Sequence, residues 1–157
     1  MTIQLARIDQ RLIHGIIVNQ WAFETKASRL MVIDDAASKD EVLKASMRLS
    51  KPAGTGMSII DTEKAINNFL NHNYDTQRVF IIAKEPSTFV KLLDAGIALP
   101  KINVGIIFNE NGRENITKFV SVNEEEKQDL KELKSRGVPV TIQYVPTDTE
   151  EDINKYI

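Results

Sequence analysis

The chain is 157 residues long, 42% hydrophobic and 27% charged, with a formal net charge of −2. Such a length and composition fit one globular domain over residues 1–157 and exclude an intrinsically disordered chain. The near balance of acids and bases offers no basic footprint for nucleic acid, and the lack of cysteine removes disulfides, thiolate catalysis and cysteine-based zinc sites, as a reducing compartment allows.

At the N-terminus, Arg7 and Asp9 arrive before any apolar run could form, so this stretch does not read as a signal peptide and a cytoplasmic location is expected. The segment Ile3 to Ile8 reads as the first strand. A helical pattern through Ile16, Ile17, Gln20 and Trp21 follows it. Further strands are expected at Leu30 to Asp34, Met57 to Ile60, Arg78 to Ala83, Ile102 to Ile107, Ile116 to Val122 and Val138 to Val145. Val79 to Ala83 is the most continuously apolar run and so the best central strand. It falls far short of the roughly 20 residues needed to cross a bilayer, so any membrane link must run through a partner.

Ser38 with Glu41, and Asn123 with Glu126, have the spacing of capping boxes and mark two helix starts. Asp61 caps a helix whose apolar stripe is Ala65, Ile66, Phe69 and Leu70, and Pro86 opens another that stops at Gly96. Gly137 and Pro139 end the helix begun near Asn123, while the tail from Pro146 is expected to pack loosely. Strands alternating with helices specify an α/β fold: one open, twisted, mostly parallel sheet of about seven strands with helices on both faces.

In open parallel sheets ligands bind beyond the carboxyl ends of the strands, which directs attention to Asp9-Gln10-Arg11-Leu12-Ile13-His14-Gly15. His14 sits where a helix begins, and free N–H groups there favour an anion. A neutral imidazole can attack a phosphoryl donor and later leave. Arg11, and also Arg7, could neutralise phosphoryl oxygens during transfer, with Asp9 orienting the ring or an arginine. The same residues also read as a capping histidine beside a structural Arg–Asp pair, and composition does not decide between the two.

The ordered string Arg7-Ile8-Asp9-x-Arg11-Leu12-Ile13-His14-Gly15, followed by Trp21, resembles the start of the IIB subunits of mannose-family bacterial sugar phosphotransferase systems. The resemblance continues through Ile102-Asn103-Val104-Gly105, Lys118-x-Val120-Ser121-Val122 and Gln143-x-Val145-Pro146-Thr147. It implies a carrier phosphorylated on His14 by a IIA protein or domain, which then phosphorylates a sugar imported by the membrane IIC and IID subunits. It also implies peripheral association with the membrane through those partners, and no metal or organic cofactor. Arg11 and Asp9 would serve the transfer, with Arg7, Gly15, the backbone of Ile16, and Trp21 lining the site. The overall likeness leans towards N-acetylgalactosamine or a related amino sugar, ahead of mannose, fructose or sorbose. A homodimer is the default oligomer. Two departures stand out: Ile16 occupies a position where Gln is common, and Ile106 and Ile107 are bulkier than usual after Gly105.

Other features carry competing readings. Asp34 and Asp35 could accept a phosphoryl group as in a receiver-like signalling domain, cap the turn before Ser38, or line the site, yet a receiver needs a lysine after the fifth strand, where Phe108-Asn109 stands. A non-catalytic partner-binding module is the third class. His72, between two asparagines at a helix end, reads as a surface residue. Lys51 to Gly56 lacks the spacing of a phosphate-binding loop and reads as a turn.

Overall fold

The computed structural model describes residues 2–157. Its main sheet is built from β1 (Ile3–Asp9), β2 (Arg29–Ile33), β3 (Gly56–Ile60), β4 (Val79–Ala83), β5 (Ile102–Ile106), β8 (Val140–Ile142) and β9 (Glu151–Asp152). The spatial order is β3-β2-β4-β1-β5-β8-β9, parallel throughout except for β9, which runs antiparallel to β8. The all-apolar β4 lies between β2 and β1 and is wholly buried, as a strand covered on both faces must be.

Alternation along the strands divides the core in two. Met31, Ile33, Val79, Ile81, Ala83, Ile102 and Val104 face one way. They pack under α4 (Thr62–Leu70), α5 (Pro86–Asp94) and α6 (Glu124–Ser135) through Ala65, Phe89, Leu92, Leu130 and Leu133. Leu30, Val32, Phe80 and Ile82 face the other way. There they meet a π-helical segment Ile17–Trp21 that continues into α1 (Ala22–Thr25), together with α2 (Asp35–Ser38) and α3 (Glu41–Leu49). No helix is long and apolar enough to cross a membrane among the described residues.

The helix starts follow from their caps. Asp61 accepts the N–H of Lys64, and Asn123 and Glu126 form the reciprocal box that the spacing predicts. Gly137, at φ 88°, ends α6 in the left-handed region. At α3 the expectation is corrected: Asp40, and not Ser38, is the cap, because its carboxylate accepts the N–H of Leu43 while Ser38 closes the preceding short helix.

Two strand expectations, and that for the tail, are also corrected. Within Ile116 to Val122 only β7 (Ser121–Val122) is a strand, and it pairs antiparallel with β6 (Glu114–Asn115) outside the main sheet. The N–H groups of Ile116 and Thr117 both turn back to the Val120 carbonyl and break the expected extension. The last large strand is shorter than Val138 to Val145, because the chain beyond Ile142 turns away to meet other groups. Finally, the tail is not loose. Ile153 is fully buried, Lys134 binds Asp152, and β9 occupies the outer edge of β8.

Candidate active site

The helical connection leaving β1 leads towards the β3 edge, whereas the chain leaving β5 and then β8 builds the opposite edge. The crevice where neighbouring connections diverge is where open α/β sheets bind ligands, and the loop after β1 lies in it. This loop is tightly pinned. The Gln10 N–H donates to the Ile106 carbonyl at 3.0 Å, and the Gln10 side-chain oxygen accepts the Phe108 N–H at 2.9 Å. Leu12 adopts φ 56°, a left-handed conformation unfavourable for leucine, and is held there by burial of its side chain and by an N–H bond to the Asp9 carbonyl. The turn delivers His14 to the start of the helix, where its carbonyl accepts the Val18 N–H.

Asp9 organises the centre. One carboxylate oxygen accepts the backbone N–H of Arg11 at 3.0 Å, and the other is shared by Arg7 Nε at 3.1 Å and His14 Nε2 at 2.9 Å. Both Arg7 and Asp9 are fully buried. Against an ionised carboxylate, which only accepts hydrogen bonds, the His14 ring would donate from Nε2. His14 Nδ1 is buried and has no hydrogen-bond partner.

Arg7 is in turn enclosed. Its Nη1 donates to Asn103 Oδ1 and to the Gln143 carbonyl, its Nη2 donates to the Tyr144 carbonyl at 3.0 Å, and its guanidinium lies 5.0 Å from the Trp21 ring centre. Burial lowers its pKa, with the Asp9 charge opposing that shift. Trp21 Nε1 donates to the same Tyr144 carbonyl at 3.0 Å. Gly105 makes this packing possible, since a Cβ there would overlap the Arg7 guanidinium.

Of the residues singled out from sequence, Arg7, Asp9, His14 and Trp21 are thus brought together. Arg11 joins through its backbone N–H, while its exposed side chain makes no hydrogen bond or ion pair with any described residue. Gly15 and Ile16 open the helix, whose first N–H groups have no carbonyl of a preceding turn to bond. Asp34 and Asp35 lie beyond β2, with β4 intervening between that strand and β1. Asp34 caps α2 through the Ala37 N–H, and Asp35 accepts the N–H and hydroxyl of Thr62, which hold its pKa below the usual carboxylate value. The sequence reading gave no site role to Asn103, Gly105, Gln143 or Tyr144. The visible signal was Asn and Gly inside the otherwise apolar run Ile102–Ile106, but the backbone carbonyls of Gln143 and Tyr144 leave no signature in residue type.

Fold and site define a doubly wound α/β protein whose switch-point loop presents a carboxylate-held histidine. Residues 3–157 match the family described as PTS system sorbose subfamily IIB component, and the chain belongs to that family. Its relatives include the sorbose-specific EIIB component of Lacticaseibacillus casei, 34% identical over 153 residues, covering 98% of this chain and 93% of that one. The IIB component 1 of the N-acetylgalactosamine-specific phosphotransferase enzyme of Escherichia coli K12 is 36% identical over 152 residues, 96% of each chain. Among solved structures, the IIBSor domain of the sorbose permease from Klebsiella pneumoniae superposes with a TM-score of 0.95 at 29% identity, covering 99% of this chain and 96% of that one. As a IIB component, the chain is a phosphotransferase that takes a phosphoryl group from IIA and passes it to a sugar.

Proposed function

We propose that His14 carries the phosphoryl group and that its Nδ1 is the attacking atom. The observation that carries this reading is the Asp9–Nε2 bond, which fixes the ring proton on one nitrogen and leaves the other with a free lone pair. In the forward step the Nδ1 lone pair forms a bond to phosphorus as the bond to the IIA donor breaks, and the electron pair departs with that donor. The Nε2 proton stays against Asp9, which balances the positive charge gained by the ring. In the second step a sugar hydroxyl oxygen attacks phosphorus and gives its proton to solvent water, and the P–N bond returns its pair to Nδ1.

Because Nδ1 is shut off from solvent, acceptance requires the 10–13 loop or the ring to yield. Arg11 supplies the mobile cation: its side chain is exposed and unengaged, three residues before His14, so its planar fork is free to close on two phosphoryl oxygens. The backbone N–H groups of Gly15 and Ile16 complete the anion site, and Ile16 needs no side-chain donor for that role. The partners are a phosphorylated IIA protein or domain and membrane IIC and IID subunits, through which the chain associates peripherally with the cytoplasmic face. Amino sugars of the N-acetylgalactosamine type are the first substrates to test, with uptake compared sugar by sugar in a deletion strain.

The primary test is mass spectrometry with a phosphorylated IIA donor. Wild type should gain one phosphoryl mass on the peptide containing His14, in an acid-labile and base-stable form. A folded His14→Ala variant should gain none, and retention of the added mass would remove His14 from the role.

A further inference from the structure

The least expected feature of the site is a fully buried arginine whose side chain is engaged entirely by other groups of the protein. Arg7 spends its donors inside the protein: Nε on Asp9, Nη1 on Asn103 and the Gln143 carbonyl, Nη2 on the Tyr144 carbonyl. The Trp21 ring packs on its guanidinium, and Gly105 leaves it room. Nothing in this arrangement leaves a fork free for a phosphoryl group. What Arg7 does touch is the carboxylate oxygen that also holds His14 Nε2.

From this geometry, and resting on the reading of His14 as acceptor, we infer that Arg7 is a positioning residue that sets the tautomer of His14 through Asp9. The 143–144 segment, remote in sequence, holds Arg7 in place for that task.

A fully buried carboxylate without a counter-charge takes up a proton, and a protonated Asp9 could donate to His14 as readily as accept from it. The ring would then be free to carry its proton on Nδ1, which would block the attacking atom. The groups facing Asp9 are Arg7 from its own strand, and His14 and the Arg11 N–H from the loop. Asn103, on the neighbouring β5, faces Arg7 as a neutral acceptor. Arg7 is therefore the permanent cation in contact with Asp9. Its own position depends on two main-chain carbonyls, so the 143–144 backbone acts only by holding Arg7 and contributes no reactive group.

The test uses the full chain, labelled with nitrogen-15 in histidine, and reads the tautomer of His14 by NMR alongside phosphoryl transfer from a phosphorylated IIA donor. Wild type should show neutral His14 with the proton on Nε2. Arg7→Met should show mixed tautomers, transfer slowed at least tenfold, and an acidic limb of the pH–rate profile displaced to higher pH, because Asp9 then loses its proton later. Arg7→Lys should recover part of the rate and of the profile. Gly105→Ala, which displaces the guanidinium without removing its charge, should move in the same direction as Arg7→Met. A wild-type ring protonated on Nδ1 overturns the inference by itself, even if every variant misfolds. So does a folded Arg7→Met that keeps the Nε2–H tautomer and an unchanged pH profile, whatever its rate. The acceptor reading fails separately, on the phosphoryl mass of His14→Ala.

Discussion

At the scale of single residues, the two arginines of the N-terminal string have opposite environments. Arg7 is closed in by five partners and Arg11 reaches solvent, although the sequence presents them as equivalent cations flanking Asp9. Arg11→Lys is expected to slow transfer by about tenfold or more, a barrier change of about 1.4 kcal/mol, with an unchanged urea midpoint. Pre-steady-state phosphorylation beside urea melts checks this, and equal rates with a lowered midpoint would make Arg11 part of the scaffold. His72 provides the contrast. Its side chain is 77% exposed, it pairs with Asp75, and its φ of 60° suits asparagine. His72→Asn should leave the transfer rate unchanged, and a tenfold fall would reveal an unseen partner contact. What the string could not disclose was the direction in which each side chain points, since that depends on Asn103 and on carbonyls more than a hundred residues away.

Among the elements, helices and buried strands were legible because their periodicity and caps are local. Asp61, Pro86, Asn123 with Glu126, and Gly137 each act where their spacing places them. The short pieces were not: β9 is two residues long, carries two acids, and exists because Ile153 anchors beside the β8 edge. Ile153→Ala is expected to cost about 2 to 4 kcal/mol, measured by chemical denaturation, by loss of burial and creation of a cavity. A loosely packed tail would instead give a change near zero. Asp35 makes a different link, joining the end of β2 to the first turn of α4. Its pKa is lowered in the fold by the Thr62 N–H, so its stabilisation is complete above the unfolded carboxylate value near 3.8 and fades as pH falls through the lower folded value. Asp35→Ala should therefore cost about 0.5 kcal/mol at neutral pH, the low end of cap losses for an exposed group. The difference from wild type should shrink below about pH 4, which paired melts at pH 7 and pH 3 would show.

On the scale of the whole molecule, alternation of strand and helix was enough to specify an open, doubly wound sheet, and the place to look for a candidate site followed from that topology. The hairpin of β6 and β7 and the reversed edge strand escaped because their pairings are made across the fold and not along the chain. The same long reach of contacts has a bearing on biosynthesis. A ribosome releases the histidine and its carboxylate early, but the carbonyls that seat Arg7 emerge only when the chain has been made past Tyr144. On the role inferred for Arg7, a nascent or truncated polypeptide would carry His14 before the groups that seat its carboxylate partner are in place. Synthesis order would then delay phosphoryl acceptance until the chain is nearly complete.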